Sequence, residues 1–358
     1  MQRRDFIKGA GIGALTATAA LTSNMAQAKT KYRWKMVTTW PKNFPGLGTG
    51  ANYLAQLITQ MSGGRIKVKV YGANELVPAF EVFDAVSRGT AQIGHGSAYY
   101  WKGKHPAMQF FSTVPFGMTA REMNAWIYHK GGLELWHELY GRFGLLSFPA
   151  GNTGVQMGGW FNKEINSLAD LKGLKMRIPG LGGEVLKRLG GTPVNLPGGE
   201  LYTALATGTI DATEWVNPDN DLAFGLYKAA KYYYFPGFHE PGTILEAMIN
   251  KKAYASLPKD LQAIVKAACQ AANLNMLAEF DAKNPQALIT LKEKHHIEPR
   301  AYPQDVLKQL KKVSQEVVAE IAQHDKFSKK VYTSYNRFLA QSIAFSKLSE
   351  QAYLNARN

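Results

Sequence analysis

Cysteine is nearly absent. Cys269 stands alone in 358 residues, so no disulfide forms within the chain and no cysteine-ligated cluster can be built. It falls in a stretch rich in Ala, Leu and Ile, 257–277, which marks it as a buried helix residue rather than a nucleophile. After the N-terminal segment no apolar run reaches the ~20 residues of a membrane span. Catalytic signatures are missing as well: there is no G-x-S-x-G elbow, Walker loop, H-E-x-x-H or C-x-x-C-H. Eight histidines, His95, His105, His129, His137, His239, His295, His296 and His324, include no pair at a zinc-motif spacing. Acidic residues are few, 27 against 42 Lys and Arg, for a formal charge of +15. The basic residues are scattered as singles and pairs, such as Lys251-Lys252 and Lys329-Lys330, without the basic–aromatic motif of a nucleic-acid module. Nucleic acid is therefore not an expected partner. A diffuse positive field would steer anions instead, or simply keep the protein soluble. No internal repeat, low-complexity tract or flexible linker is visible.

The N-terminus reads as an export signal. Arg3-Arg4-Asp5-Phe6-Ile7-Lys8 is a charged head, Gly9 to Leu21 is uncharged and small or apolar, and Ala26-Gln27-Ala28 offers a small-x-small cleavage site. The R-R-x-F-I-K form points to the twin-arginine route, with cleavage after Ala28 and a periplasmic destination. Residues 1–28 hold three basic residues against one acidic, which leaves about +13 on the exported chain.

The first half of that chain alternates strand and helix patterns. Tyr32 to Thr38 and Ile66 to Val70 are strands, the latter alternating apolar with charged residues. Helical spacing joins Leu54, Leu57, Ile58 and Met61, then 79–87, and Ala91 to Gly94 is a short strand. A second unit follows, with strands at 155–161, 174–178, 210–216 and 232–235 and helices at 184–189 and 199–207; Thr192 to Asn195 leads into the latter helix. The chain returns through an apolar strand at 244–249. Amphipathic helices then occupy 258–279 and 306–321, and a terminal helix reaches about 356. This order predicts α/β lobes with largely parallel sheets. Gly180-Leu181-Gly182-Gly183 resembles a dinucleotide fingerprint, but Val185 occupies the third glycine position, and a tight turn at a helix start is the better account.

One block is more specific. Leu168-Ala169-Asp170-Leu171-Lys172-Gly173-Leu174-Lys175 runs into Met176-Arg177-Ile178-Pro179-Gly180. Leu189-Gly190-Gly191-Thr192-Pro193, Leu201 to Leu205 and Gly208-Thr209-Ile210-Asp211-Ala212-Thr213-Glu214-Trp215 follow. In combination these resemble the DctP-like substrate-binding receptors of TRAP (tripartite ATP-independent periplasmic) transporters, over nearly all of the exported chain. The resemblance implies a non-enzymatic, bilobed periplasmic-binding-protein clamshell of α/β class with long C-terminal helices. Lobe I would comprise 29–153 and 244–283, lobe II 154–243 and 284–335, and 336–358 would be a helix packing across the lobes or on a dimer partner. It also implies a small carboxylate ligand and delivery to a membrane permease.

In this family the arginine after the D-L-x-G strand binds the ligand carboxylate, which maps to Arg177. A planar guanidinium suits that task through paired hydrogen bonds; a structural salt bridge is the alternative. Replacing it by Ala is expected to leave the fold intact. Many members carry Glu-Asn-Pro after the strand. Here Glu214 precedes Trp215-Val216-Asn217-Pro218, and with Tyr232 to Tyr234, Pro236-Gly237 and Glu240-Pro241 this is similar to the branch that binds 2-oxo and 2-hydroxy acids. That branch implies a sodium or calcium ion held by Gln156, Glu214 and the Trp215 carbonyl, with Glu240 as a further ligand, and no organic cofactor. An ordinary polar strand residue is the alternative for Gln156. Tyr99 and Tyr100 follow a strand end and could cover the ligand or pack the core; Asn152 and Trp40 are further candidates. Two other readings stay open: a twin-arginine-exported enzyme, and a sensory ligand-binding protein with the same lobes.

Overall fold

The computed structural model describes residues 31–357; the expected export signal and its cleavage point lie outside them. The chain builds a first sheet from β1 (Tyr32–Thr38), β2 (Ile66–Tyr71), β3 (Ile93–Gly96) and β4 (Leu145–Asn152). It then crosses to a second sheet with β5 (Gly159–Phe161), β6 (Lys175–Arg177), β7 (Thr192–Val194), β8 (Ala212–Thr213) and β9 (Tyr232–Phe235). β10 (Ile244–Asn250) returns to the first sheet, and β11 (Pro299–Ala301) joins the second. The strand orders are β2-β1-β3-β10-β4 and β11-β9-β5-β8-β6-β7.

Both sheets are mixed rather than largely parallel. β10 runs antiparallel to β3 and β4, and β5 antiparallel to β8 and β9. The reason is the route: a chain crossing between lobes enters the neighbouring sheet from the cleft end, against the strands laid down by right-handed β-α-β steps. β10 is buried along all but its last residue, which accounts for its apolar character on both faces, with Glu246 the one charged residue within it. β7, expected as a lead into a helix, is an edge strand, the position where Pro193 costs no ladder bond. The strands expected over 155–161 and 210–216 are shorter than their apolar patterns, because the backbone leaves the sheet where the site begins.

The helix Lys259–His295 is the longest element, 37 residues or about 55 Å. Its first half buries Leu261, Val265, Ala268, Cys269 and Ala272 in the first lobe; Met276 lies against Gly50 and Gly151 and Phe280 against Gly46, in an apolar cluster that continues through Leu291 to the second lobe's Trp160, Leu205 and Tyr233. Helix Gln304–Ile321 covers the second lobe, tied to Gly180–Arg188 by Arg188–Glu320 at 2.7 Å. Asp325 then caps the next helix, Lys326–Ser346, by accepting from the Ser328 N–H at 2.6 Å. The boundary expected at 335 falls inside this helix, which lies on the first lobe: Tyr335 is fully buried, and its hydroxyl accepts from the Met118 N–H at 3.0 Å. A last helix, Glu350–Arg357, has no buried residue.

Candidate functional site

Two backbone crossings form a polar hinge. Gln156 N–H donates to the Glu240 carbonyl at 3.1 Å and Thr153 N–H to the Thr243 carbonyl at 3.1 Å, so the outgoing and returning segments lie side by side. Asn152 belongs to this hinge. Its amide nitrogen donates to the Gly242 carbonyl at 3.3 Å and its oxygen accepts from Gly154 N–H at 2.8 Å. With both ends of the amide engaged, Asn152 fastens the crossing and stands apart from the other candidates.

Those others converge. Arg177 ends β6 beside the parallel strands β7 and β8, at the carboxyl end where open α/β sheets gather ligands. It is 1 % exposed. Its Nε donates to the Leu196 carbonyl at 3.1 Å, Nη1 to the Glu214 carbonyl at 3.4 Å and to the Glu214 carboxylate, and Nη2 to the Tyr100 hydroxyl at 3.2 Å. The guanidinium lies over the Trp215 ring, 5.1 Å from its centroid. Burial opposes its charge, but Glu214 and the Tyr100 and Tyr99 hydroxyls outweigh that and raise its pKa above the ordinary arginine value. Burial likewise raises the Tyr99 hydroxyl, with Glu240 adding to it, and the Tyr100 hydroxyl, so both stay protonated donors.

Glu214 divides its carboxylate. Oε1 meets Arg177, while Oε2 is buried without a hydrogen-bond partner. Gln156 is similar: its nitrogen donates to Glu240 Oε2 at 2.8 Å and to the Thr153 hydroxyl at 3.0 Å, and its Oε1 is buried and unpaired. Glu240 Oε2 also accepts from the Thr243 hydroxyl at 2.6 Å. Burial, then the neighbouring Glu214 carboxylate, raises Glu240 to about 7. Among the described residues no backbone N–H donates to the Trp215 carbonyl. Unpaired buried oxygens are uncommon in folded proteins. Two such side-chain oxygens plus a free carbonyl, beside two carboxylates, are the donor set a hard cation takes. The residues present fit sodium or calcium.

The first lobe supplies the lid. Tyr99 packs its Cβ toward Gly180, and Trp40, held by its indole N–H on His95 Nδ1 at 2.8 Å, lies edge-on to Trp215 at 6.3 Å. Phe44 stacks on Phe224 of the second lobe at 4.1 Å, and Lys102 reaches Glu184 at 2.6 Å. Gln156, Arg177, Glu214, His239 and Glu240 are all at most 3 % exposed, so the lobes are shut over the site. A separate groove of about 750 Å³ opens outside, around Lys102, Leu181, Glu184 and His324, and includes none of these residues. Sequence reasoning missed His239. It is 1 % exposed, its Nε2 is 3.5 Å from Glu214 Oε2, and its ligand atom shares one small space with those of Glu214 and Glu240. The available signal was its place next to Glu240 in the Pro236–Pro241 loop.

Two α/β lobes, a multiply crossed hinge and a sealed interlobe cluster with unpaired polar atoms define a ligand-trapping receptor of the hinge-closing type. The family model of bacterial extracellular solute-binding proteins, family 7 (DctP), matches residues 36–325. A monocarboxylate 2-oxoacid-binding periplasmic protein of Nostoc sp. is 45 % identical over 99 % of this chain and 98 % of its own. A TRAP periplasmic solute-binding protein of Pseudoalteromonas atlantica, solved with bound sodium and pyruvate, is 48 % identical over 91 % of this chain and 99 % of its own, with a TM-score of 0.88. A TRAP transporter solute-binding protein of Bordetella bronchiseptica, a mixed-occupancy dimer with copurified calcium and picolinate, is 38 % identical over 91 % and 97 %, with a TM-score of 0.89. The chain belongs to the DctP family of extracellular solute-binding proteins; it is a periplasmic receptor of the TRAP type and not an enzyme.

Proposed function

We propose that this receptor captures a small 2-oxo or 2-hydroxy monocarboxylate together with a sodium or calcium ion and hands it to a TRAP membrane permease. The observation that carries the reading is the state of Arg177. Its charge is already balanced by Glu214 inside a sealed site. An incoming carboxylate therefore needs a further positive charge beside it, since a buried unpaired anion is costly. The unpaired Gln156 and Glu214 oxygens and the Trp215 carbonyl would hold that ion, with Glu240 close by. The ion, when bound, would supply the balancing charge beside the ligand carboxylate. Arg177 orients the carboxylate from Nη2, the end of the guanidinium that Leu196 and Glu214 do not engage, Tyr100 supplies a hydroxyl, and Tyr99 with Trp40 and Trp215 excludes water. Nothing in the cluster performs chemistry on the ligand; closure and release are the working cycle, and the closed lobes form the surface the permease would meet. The relatives that bind 2-oxoacids, or pyruvate with sodium, support this ligand class.

Mass spectrometry of ligand and ion released from natively purified protein tests it, with pyruvate titrations in sodium-free buffer containing a calcium chelator. Recovery of a 2-oxo or 2-hydroxy acid, with binding lost on ion removal, is the expected result; ion-independent binding would refute the charge argument. The export route is proposed to be twin-arginine, so Arg3→Lys with Arg4→Lys should strand a precursor in the cytoplasm. A homodimer is proposed through the C-terminal helices, where Phe345, Leu348 and Tyr353 are 67 %, 84 % and 65 % exposed; the Bordetella relative is itself a dimer. Light scattering that finds only monomer would remove it.

A further inference from the structure

His239 has no assigned role, yet it is the most anomalous side chain of the site. Both ring nitrogens are buried and neither has a hydrogen-bond partner. An imidazole always carries at least one N–H donor, and a buried donor left unpaired is costly. The surrounding structure nevertheless makes room for this ring. A Cβ on Gly182 would fall 2.9 Å from the His239 Cβ, so the helix Gly180–Arg188 keeps a glycine where the histidine approaches. On the other side the Phe238 carbonyl accepts from the first lobe's Phe116 N–H at 2.8 Å, which fixes the loop when the lobes are closed.

We propose that His239 is the donor that recognises the oxygen at C2 of the bound acid. The inference rests on the carboxylate-plus-cation reading above. Glu214 separates the two ends of the site: Oε1 faces Arg177 and Oε2 faces His239 at 3.5 Å. A ligand whose carboxylate lies on Arg177 directs its next carbon along Glu214 toward Oε2 and the imidazole. A 2-oxo group accepts a hydrogen bond there, and so does a 2-hydroxyl. A plain fatty acid places a methylene at the same point and leaves the N–H unpaired in a dry site. Sites built to hydrogen-bond a ligand group reject the analogue that lacks it for this reason. His239 is thus a specificity residue, while Arg177 serves any carboxylate.

The test is calorimetric titration of wild type, His239→Leu and His239→Gln with pyruvate and with propionate, in saturating sodium and calcium. Elemental analysis of each purified protein follows ion retention. His239→Leu should weaken pyruvate about tenfold or more and leave propionate nearly unchanged, narrowing the ratio between them; ion content should match wild type. His239→Gln, which keeps an N–H, should retain most of the ratio and serves if the Leu variant fails to fold. Equal weakening of both acids, or loss of the ion, would make His239 a structural or metal-holding residue and overturn the proposal. An unchanged ratio in His239→Leu overturns it while leaving the ligand class intact. Failure of the wild type to bind either acid, or to prefer pyruvate over propionate, removes the ligand class and this inference together.

Discussion

Replacing Arg177 by alanine removes the cation from a pair whose side chains are 1 % and 0 % exposed. Glu214 is then left buried without its counter-charge, and the Leu196 carbonyl and Tyr100 hydroxyl each lose a donor. Removing one member of a buried ion pair costs roughly 3–5 kcal/mol of stability. Burial makes Arg177 part of the lobe's own charge balance as well as a ligand contact, so the fold is expected to survive with reduced stability. Affinity should fall as well. Truncating one partner of a buried, hydrogen-bonded charge pair costs roughly 2–5 kcal/mol, which is about 30-fold to several thousand-fold in Kd. Two assays separate the effects: denaturant unfolding for stability and titration calorimetry with pyruvate for affinity. Glu214→Gln added to Arg177→Ala should recover most of the stability, because the orphaned charge is gone, and none of the affinity. Arg177→Lys should recover only part of either, since an ammonium lacks the fork that reaches Leu196, Glu214 and Tyr100 together. Near-wild-type affinity in folded Arg177→Ala would refute the carboxylate role; unchanged stability would refute the energetic reading of the buried pair.

Gly180 has φ +60° and would bring a Cβ within 3.1 Å of the Tyr99 Cβ across the lobe interface. Gly180→Ala should lose about 1–2 kcal/mol of stability from the left-handed backbone and also weaken ligand binding, because only the closed form meets Tyr99; calorimetry showing unchanged affinity would contradict this. Lys102–Glu184 bridges the lobes, but both side chains are 42 % exposed. Lys102→Ala should therefore change affinity by less than about fivefold, with the difference vanishing at high salt; a larger effect would show a real latch. Glu246 is a buried carboxylate in the first lobe that accepts from Trp101 at 2.7 Å, Tyr140 at 3.0 Å and Ser147 at 2.5 Å, and burial raises it from 4.5 to about 7. Between those values the folded state holds a proton that the unfolded state has released, so its contribution to stability falls as pH rises. Above pH 7 the deficit is on the order of 3 kcal/mol. Denaturant unfolding of Glu246→Gln at pH 4.5 and pH 8 should show the mutant gaining on wild type only at the higher pH; a pH-independent difference would refute the assignment.

Where apolar pattern and local structure coincide, the sequence was a sound guide. Tyr32–Thr38 and Tyr232–Phe235 are strands as their patterns predict, and Cys269 is buried in a helix face. Where two lobes share an element, the pattern misleads. The helix Lys259–His295 buries one set of residues in the first lobe and another in the second, so no single stripe runs its length. Pro285 lies inside it, a residue that ordinarily breaks a helix, so the sequence pattern supports a helix only over 258–279. The mixed sheets were hidden for a related reason, because strand direction depends on the path of the crossings and not on any residue of β5 or β10.

The site divides along the same line. Arg177 and Glu214 lie at strand ends within one recognisable block, and the fold brings them into contact. His239 and Asn152 take their places from the hinge, whose two segments meet only in the folded chain, so no spacing in the sequence marks the role of either, and Asn152's amide fastens the crossing. Net charge shows how far apart attraction and capture are. The excess of about 13 positive charges on the exported chain is scattered along the sequence and can draw anions toward the cleft. Inside, the balance reverses: one guanidinium faces Glu214, with Glu240 beside it. A receptor with this interior cannot hold a carboxylate on Arg177 alone. The unpaired oxygens of Gln156 and Glu214 are what make capture depend on a cation, and that dependence, more than the arginine itself, is what the ion-free titration measures.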